Sequence, residues 1–597
     1  MKKILSLILS LLPLMTYAAP MSESVCRKVA AQFMTSKNRD FNISSLQLAN
    51  ERMLTKSGAD CNEYYIYKTP GKGFVIIAGD DSVVPVIGYS VDGNFSDNES
   101  MTNFRHWMGV WSKAIISNRA KGLKATPETR AEWDKYTKEG TLRKETGDEC
   151  LLETALWNQG NPYNIYCPKI GEEQTLTGCV ATAMGILMRY FEWPVAGTGT
   201  TEAYTYKTVN VPAVKLGEPY DWKNMPLSSL SSSSSDDEKH AVATLLYHAG
   251  VIVKAMYGLS GEGGTGAYSE DIRNALISYM DYDKSAVFKY AEMYSNEEWT
   301  GMLKDNIKNV GPVIYGGSSA IGGHQFIIAG YDARDRFYIN WGWGGANNGY
   351  YSYPGFDEFT EGNDALFNVK KNCGGKTPAS IDLYHLSSSS KPGISLSCVN
   401  IGTNVPFTAT VEGMWNTGAE DFKGYVGIAR VNSQNEILEV LHSLSMDDLA
   451  GDTGGVLGPG YVVYPVIFKD CVIKTDPAIG EKLMCVFKDT GDSSWSICHY
   501  DRTDEKMVGE ILLADSFSIE QSTRMVYSTE GTIKITSKQG VTLKLVGPGG
   551  EDMSSAVSSD ENGWTVDVTK LSPAKYKLQL SKDKEFKEIT VSMGLKE

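Results

Sequence analysis

Thr177-Gly178-Cys179-Val180-Ala181-Thr182-Ala183-Met184-Gly185-Ile186-Leu187-Met188-Arg189-Tyr190-Phe191 opens on a turn and continues as a strongly periodic run. Val180, Ala183, Met184, Leu187, Met188 and Phe191 recur at i, i+3, i+4 and i+7, the spacing of a buried helical face. The pattern predicts a helix over Cys179–Tyr190, closed by Trp193-Pro194, with Cys179 at its N-terminus. There the unpaired backbone N–H groups and the positive end of the dipole favour a thiolate, lowering a thiol pKa of about 8.5. Gly178 carries no side chain, so another backbone can approach the sulfur closely. Taken alone, a cysteine at a helix start is more often a small core residue. Its surroundings in the chain reverse that balance.

His324 lies 145 residues on (324 − 179), in Gly322-Gly323-His324-Gln325-Phe326-Ile327-Ile328. That separation is inside the roughly 130–150 residues between nucleophile and base in papain-like enzymes. The turn Asp332-Ala333-Arg334-Asp335 divides this apolar run from Phe337-Tyr338-Ile339-Asn340-Trp341, so an antiparallel hairpin brings Asn340 towards His324 if the register allows. An asparagine carbonyl accepting the imidazole N–H fixes tautomer and ring direction, and the Trp341 indole would shield that bond from water. In Trp157-Asn158-Gln159-Gly160, Gln159 offers an amide which, beside the backbone N–H of Cys179, makes a two-donor oxyanion hole. Such donors contribute ~2.7–4 kcal/mol each to acyl transfer. Singly, these residues read as a strand histidine, an aromatic turn and a surface glutamine; their joint presence carries the chemistry.

The whole chain of 597 residues is too long for one hydrophobic core, and 42% apolar with 22% charged residues is a globular balance. A net charge of −15 with no local basic stripe excludes nucleic acid as a natural partner. Residues 1–19, with Lys2 and Lys3 before an apolar run and Ala18-Ala19 after it, have the layout of a secretory signal peptide. No later run reaches the length of a membrane-spanning segment, so the expected location is secreted or at the cell surface. Cys179 set aside, nine of the ten cysteines remain, so at least one is unpaired, and no CxxC pair points to zinc. No cofactor or metal is called for.

Residues 20–144 contain a strand Gly73–Ala78, the turn Asp80-Asp81 and a second apolar run from Val83 to Ile87, then a charged linker from Lys135 to Glu149 suited to cleavage. Residues 145–375 hold all the candidate chemistry, and the serine tract Ser228–Ser235 within them reads as a surface loop. Short alternating runs such as Phe407–Val411, Tyr461–Phe468 and Lys482–Phe487 predict a β-sandwich module over 376–518. Thr532–Ile535, Thr542–Leu545, Tyr576–Leu580 and Ile589–Val591 predict a second, smaller one over 519–597, with the boundary near Ser518.

Four blocks, Trp157–Asn164, Thr177–Ala183, Gly322–His324 and Asn340–Gly345, resemble in residues and order the streptopain family of papain-like bacterial cysteine proteases, interpain-like enzymes included. The stretch Gly73–Tyr89 is similar to that family's pro-domain. The resemblance implies an α+β fold: a two-lobed papain-like domain over 145–375, preceded by an α+β pro-domain and followed by the β-sandwich modules. It further implies Cys179 as nucleophile, His324 as base, Gln159 as oxyanion donor, and Asn340 and Trp341 as supports of the histidine. Substrates would be proteins or peptides, and the chain's own pro-domain its intramolecular inhibitor. The loop Met256–Gly264 is similar to a mobile glycine-rich segment beside the cleft. Two other classes compete: an inactive surface adhesin on the same scaffold, and a cysteine-dependent acyltransferase. The latter usually carries aspartate where this chain has Asn340.

Overall fold

The computed structural model describes residues 20–38, 43–49, 62–69, 73–96, 101–138, 145–319, 322–354, 363–375, 383–385, 393–397, 403–418, 420–449, 454–458, 461–478, 481–500, 510–512, 525–527, 532–536, 542–560, 563–572, 574–582 and 585–594. The leader 1–19, residues 139–144 of the expected linker and the boundary near Ser518 lie outside them. The chain divides into two compact units: Met1–Tyr282, Thr300–Thr360 and Asn368–Lys371 form one, and Asp283–Trp299, Glu361–Phe367 and Asn372–Glu597 the other. Among the described residues no helix is long and apolar enough to cross a membrane.

The first unit begins with α1 (Glu23–Lys37), followed by β1 (Gln47–Leu48), β2 (Tyr64–Lys68), β3 (Phe74–Ala78) and β4 (Val86–Ser90). Phe74-Val75-Ile76-Ile77-Ala78 is buried along its whole length, as a β-branched run enclosed on both faces must be. The second apolar run pairs only from Val86 onward, because Pro85 has no N–H to give the ladder. Two helices then follow, α2 (Thr102–Lys121) and α3 (Pro127–Thr137), which the expectation of an α+β pro-domain included without placing them. Their signal was nonetheless present: Phe104, Trp107, Met108, Trp111 and Ile115 hold helical spacing and are all buried. Gly122 ends α2 in the left-handed conformation at φ 62°, and Thr126 caps α3 by accepting from the Thr129 N–H.

Next come β5 (Cys150–Leu151), α4 (Cys179–Phe191), α5 (Asp236–Ile252), α6 (Glu270–Tyr279), β6 (Val313–Ser319), β7 (Gly322–Tyr331), β8 (Arg336–Asn340) and β9 (Gly349–Ser352). One antiparallel sheet runs β1-β2-β3-β4-β9-β8-β7-β6, with β5 paired to the far end of β7. The N-terminal strands thus join the sheet that carries His324 and Asn340 through β4 and β9, with Tyr89 opposite Tyr350 and Gly88 opposite Tyr351. A Cβ on Gly88 would lie 2.5 Å from the Tyr351 ring, so only glycine permits this junction. Helix α4 forms one residue longer than expected and is buried from Val180 to Met188, covered on more than the apolar stripe alone. The serine tract is mostly exposed, and its last residue, Ser235, begins α5 in a reciprocal capping box with Glu238.

The expected linker is not loose at either end. Helix α3 runs to Thr137, and the Glu145 side chain is only 5% exposed, bonded to Lys37, Lys135 and Arg336. Burial alone would raise the Glu145 carboxyl, but the Arg336 charge and the two lysines hold it well below the usual carboxylate range. Asp332, bonded to Arg336 at 2.8 Å and to the Tyr89 hydroxyl at 2.9 Å, completes a lattice of charges between the N-terminal portion and the β7–β8 turn. Polar composition suggested exposure; pairing across elements distant in sequence made burial possible.

In the second unit the strands Phe407–Val411, Lys482–Lys488, Thr532–Thr536 and Thr542–Val546 start where alternation predicts. The run Tyr461–Phe468 is instead split into Val462–Val463 and Val466–Cys471 around Pro465, which cannot donate to a ladder. Ala409, Val411 and Phe468 from one sheet share a single apolar cluster with Val426, Ile428, Leu483 and Cys485 from another, the face-to-face packing of a sandwich.

Candidate active site

Cys179 is the first residue of α4, and its position depends on the turn before it. Gly178 sits at φ 88°, and a Cβ there would lie 2.9 Å from both the methyl and the carbonyl oxygen of Thr265. Two constraints, backbone conformation and lack of space, therefore demand glycine beside the sulfur. Thr265 directly follows the glycine-rich loop Met256–Gly264: its hydroxyl donates to the Leu176 carbonyl at 2.7 Å and accepts from the Gly258 N–H at 3.0 Å. Through Gly258 and Thr265 the loop lies against the turn that precedes Cys179. On the other side the buried Gln159 holds the turn through its backbone, its carbonyl accepting from the Thr177 N–H at 3.1 Å.

The strand carrying His324 packs on α4, the helix that Cys179 begins. Alternation along β7 places His324 on the same face as Phe326, whose ring lies 4.9 Å from that of Trp341. Helix α2 of the N-terminal portion covers that face. Trp107 sits 6.1 Å from both Phe326 and Trp341, and Phe104 sits 5.8 Å from Trp341. Such edge-on pairs contribute about 0.5–1.5 kcal/mol each beyond the area they bury. Asn103, at the start of α2, donates to the Trp341 carbonyl at 3.0 Å and accepts from the Trp343 indole N–H at 3.0 Å. Ser96 and Asn347 exchange a further pair of hydrogen bonds at 2.6 and 3.0 Å.

The register settles where Asn340 points. It stands opposite Ile327, three residues from His324, and alternation puts it on the other face of the sheet. Its amide hydrogens go to the Thr154 hydroxyl at 3.0 Å and the Ala155 carbonyl at 2.9 Å, while its oxygen accepts from the Gly342 N–H. With the N-terminal portion in place, then, Asn340 is engaged away from His324. Trp341 is fully buried, held by Asn348 at its backbone N–H and by the Asn347 carbonyl at its indole. The sequence reading missed Thr265, Asn103, Asn347 and Asn348; the helical period of α2 was the one signal that could have located Asn103.

Electrostatically the site is switched off. Burial pushes the Cys179 thiol up, opposed by N–H groups of Gln325, Val180 and Cys179 itself. Burial, then the neighbouring His106 of α2, lowers His324 to about 4. Both shifts favour neutral thiol and neutral imidazole over the reactive ion pair. His106 is lowered too, by burial and by Lys113.

These shifts give the grip of α2 a pH dependence. The depressed His324 binds a proton less readily here than when exposed, where its pKa is about 6.5. The associated stability is therefore complete above that value and is lost as pH falls towards 4. Between pH 7 and pH 5, hydrogen-exchange protection of α2 amides relative to α4 amides in the full chain should fall on the order of tenfold, after correction for intrinsic rates. An unchanged ratio would contradict this.

Residues 157–351 match the peptidase C10 family, and residues 18–115 match the Spi protease inhibitor family. Streptopain of Streptococcus pyogenes is 30% identical over 305 residues, covering 48% of this chain and 73% of streptopain. The chain belongs to the peptidase C10 family. Within this family of cysteine peptidases its catalytic region is streptopain-like, and the portion that carries α2 is of the propeptide inhibitor type. The thiol protease/hemagglutinin PrtT of Porphyromonas gingivalis is 28% identical over 352 residues, but the chain spans only 40% of PrtT. Among solved structures, prointerpain A of Prevotella intermedia is 28% identical, covers 54% of this chain and 98% of its own, and has a TM-score of 0.45. Active interpain A is 34% identical over 36% of this chain and 94% of its own, with a TM-score of 0.33.

Proposed function

We propose that this C10 family member is an exported cysteine endopeptidase made as a self-inhibited precursor. The observation that carries this reading is Cys179 at the N-terminus of a buried helix, against the histidine strand, while α2 covers the face on which His324 lies. Loss of the N-terminal portion removes His106 and the aromatic cover, so that His324 can turn towards Cys179 and take Asn340 as its orienting partner. The Cys179 thiolate then attacks a peptide carbonyl, with the oxyanion held by the Gln159 amide and the Cys179 N–H. His324 protonates the departing amine, and water hydrolyses the thioester with His324 as base. Trp341 excludes water from the imidazole. The leader at 1–19 directs export, and the second unit's sheets have no assigned part in the chemistry.

The precursor is cut between Lys138, whose N–H is still bonded to Asp134 of α3, and Glu145, paired with Arg336. Purified precursor incubated with reductant should shorten on a gel, yield a new N-terminus in that interval and digest casein, and prior alkylation should block all three. Amine incorporation without hydrolysis would instead mark an acyltransferase, and binding unaffected by alkylation with no digestion would mark an adhesin.

A further inference from the structure

A cut between Lys138 and Glu145 divides the charge lattice without breaking any of its bonds. Lys37, Tyr89, Lys135 and Tyr136 fall on the N-terminal side of it, and Glu145, Asp332 and Arg336 on the retained side. Each side encloses a charge supplied by the other. The Lys37 ammonium at the end of α1 lies 2.8 Å from Glu145 and 3.4 Å from Asp332, carboxylates whose side chains are each 5% exposed. Glu145 also accepts from Lys135 at 2.9 Å and from the Tyr136 hydroxyl at 3.2 Å, both on α3. In the other direction, the buried Arg336 guanidinium lies over the rings of Phe33 on α1 and Tyr89 on β4, at 5.1 and 5.2 Å. At the rim, Arg334 pairs with Glu132 of α3, and its side chain is 45% exposed.

A charge buried against a hydrogen-bonded partner governs how fast an interface comes apart, whereas a rim charge acts mainly on how fast it forms. Lys37 is of the first kind. For the N-terminal portion to leave, its pairs must open before water reaches either carboxylate, and Arg336 must give up the two rings that clasp it. We propose that Lys37, Glu145 and Asp332 form a latch that outlives the cut. The severed N-terminal portion stays bound through α1 and α3, so cleavage and removal of the α2 cover are two separate steps. The latch shares no residue with that cover, whose contacts run through Asn103, Phe104 and Trp107. The proposal rests on the N-terminal portion being a cleavable inhibitor, and its test makes the cut without relying on the chain's own hydrolysis.

Full-length Cys179→Ala chain is given the recognition sequence of a site-specific protease in place of residues 139–144, cut there, diluted at neutral pH and followed on a sizing column. The two fragments should elute together. Adding Lys37→Met or Glu145→Gln should release the N-terminal fragment about a hundredfold faster. Lys37→Arg, which keeps the charge, should stay near the parent, and Glu132→Gln at the rim should change release by less than about threefold. Melting curves of the uncut chains check that each variant folds; should Lys37→Met fail to fold, Glu145→Gln is judged by the same criterion. A parent whose fragments separate at once would overturn the proposal, as would a folded Lys37→Met or Glu145→Gln chain that releases no faster, or a Glu132→Gln chain that releases as fast as either. Wild-type chain that never shortens under reductant, beside a nicked chain that holds together through Lys37, would sink the protease reading and leave the latch standing.

Discussion

Cys179→Ala should lower kcat for peptide hydrolysis on the order of a millionfold, the scale on which removing a covalent nucleophile disables a comparable acyl-transfer site. Precursor carrying it should stay at full length under reductant. The fold should survive, because the substitution deletes one sulfur and leaves its supports in place. Gly178 keeps its φ of 88°, Thr177 stays bonded to the Gln159 carbonyl, and the buried face of α4 is unchanged. The melting curve and circular dichroism of the variant should therefore match wild type. Casein digestion at a tenth of the wild-type rate would refute Cys179 as the nucleophile.

His324→Ala should cost nearly as much, and the informative chain is the double variant. Groups that act as one unit lose their joint effect when either is removed, so Cys179→Ala with His324→Ala should be no slower than Cys179→Ala alone. If the losses instead multiplied, the two residues would be acting at separate sites. His324→Ala should still label at Cys179 with iodoacetamide at alkaline pH, where the thiolate at the helix N-terminus forms without help from an imidazole. Hydrolysis lost with labelling retained separates the base from the nucleophile.

Both experiments probe a site whose halves differed in legibility. Cys179 and its helix were readable because the i, i+3, i+4, i+7 pattern and the glycine before it are local, and the helix begins at the residue expected. The hairpin of β7 and β8 was equally local: its turn closes with Asp335 bonded to the Asp332 carbonyl. The placing of Asn340 was not, because a shift of one residue in pairing exchanges the two faces of a strand. A bulge between Ile328 and Gly330 intervenes, and Asn340 ends opposite Ile327.

The charged segment after Thr137 shows the opposite failure. Its composition argued for solvent, yet Glu145 is enclosed by Lys37, Lys135 and Arg336, partners contributed by α1, α3 and β8. An inhibitory pro-domain was implied by the family resemblance, but the helix that lies over the His324 face was not located, for a related reason. Trp107 looks like any core tryptophan in sequence, and only the docking of α2 reveals that the core it completes includes Phe326 and Trp341, on the face of His324.

By itself, then, the amino-acid sequence determined the candidate residue types, their order, the helix under the sulfur and the strand-rich character of the C-terminal part. These depend on periodicity, turn residues and motif spacing, all of which act within a few positions along the chain. Tertiary structure alone decided that burial shifts Cys179 and His324 towards their neutral forms, that Asn340 is engaged by Thr154 and Ala155, and that the β4–β9 pairing joins the N-terminal portion to the sheet of His324 and Asn340. Desolvation, strand register and charge pairing are properties of which surfaces meet, and neighbours in sequence do not specify those surfaces.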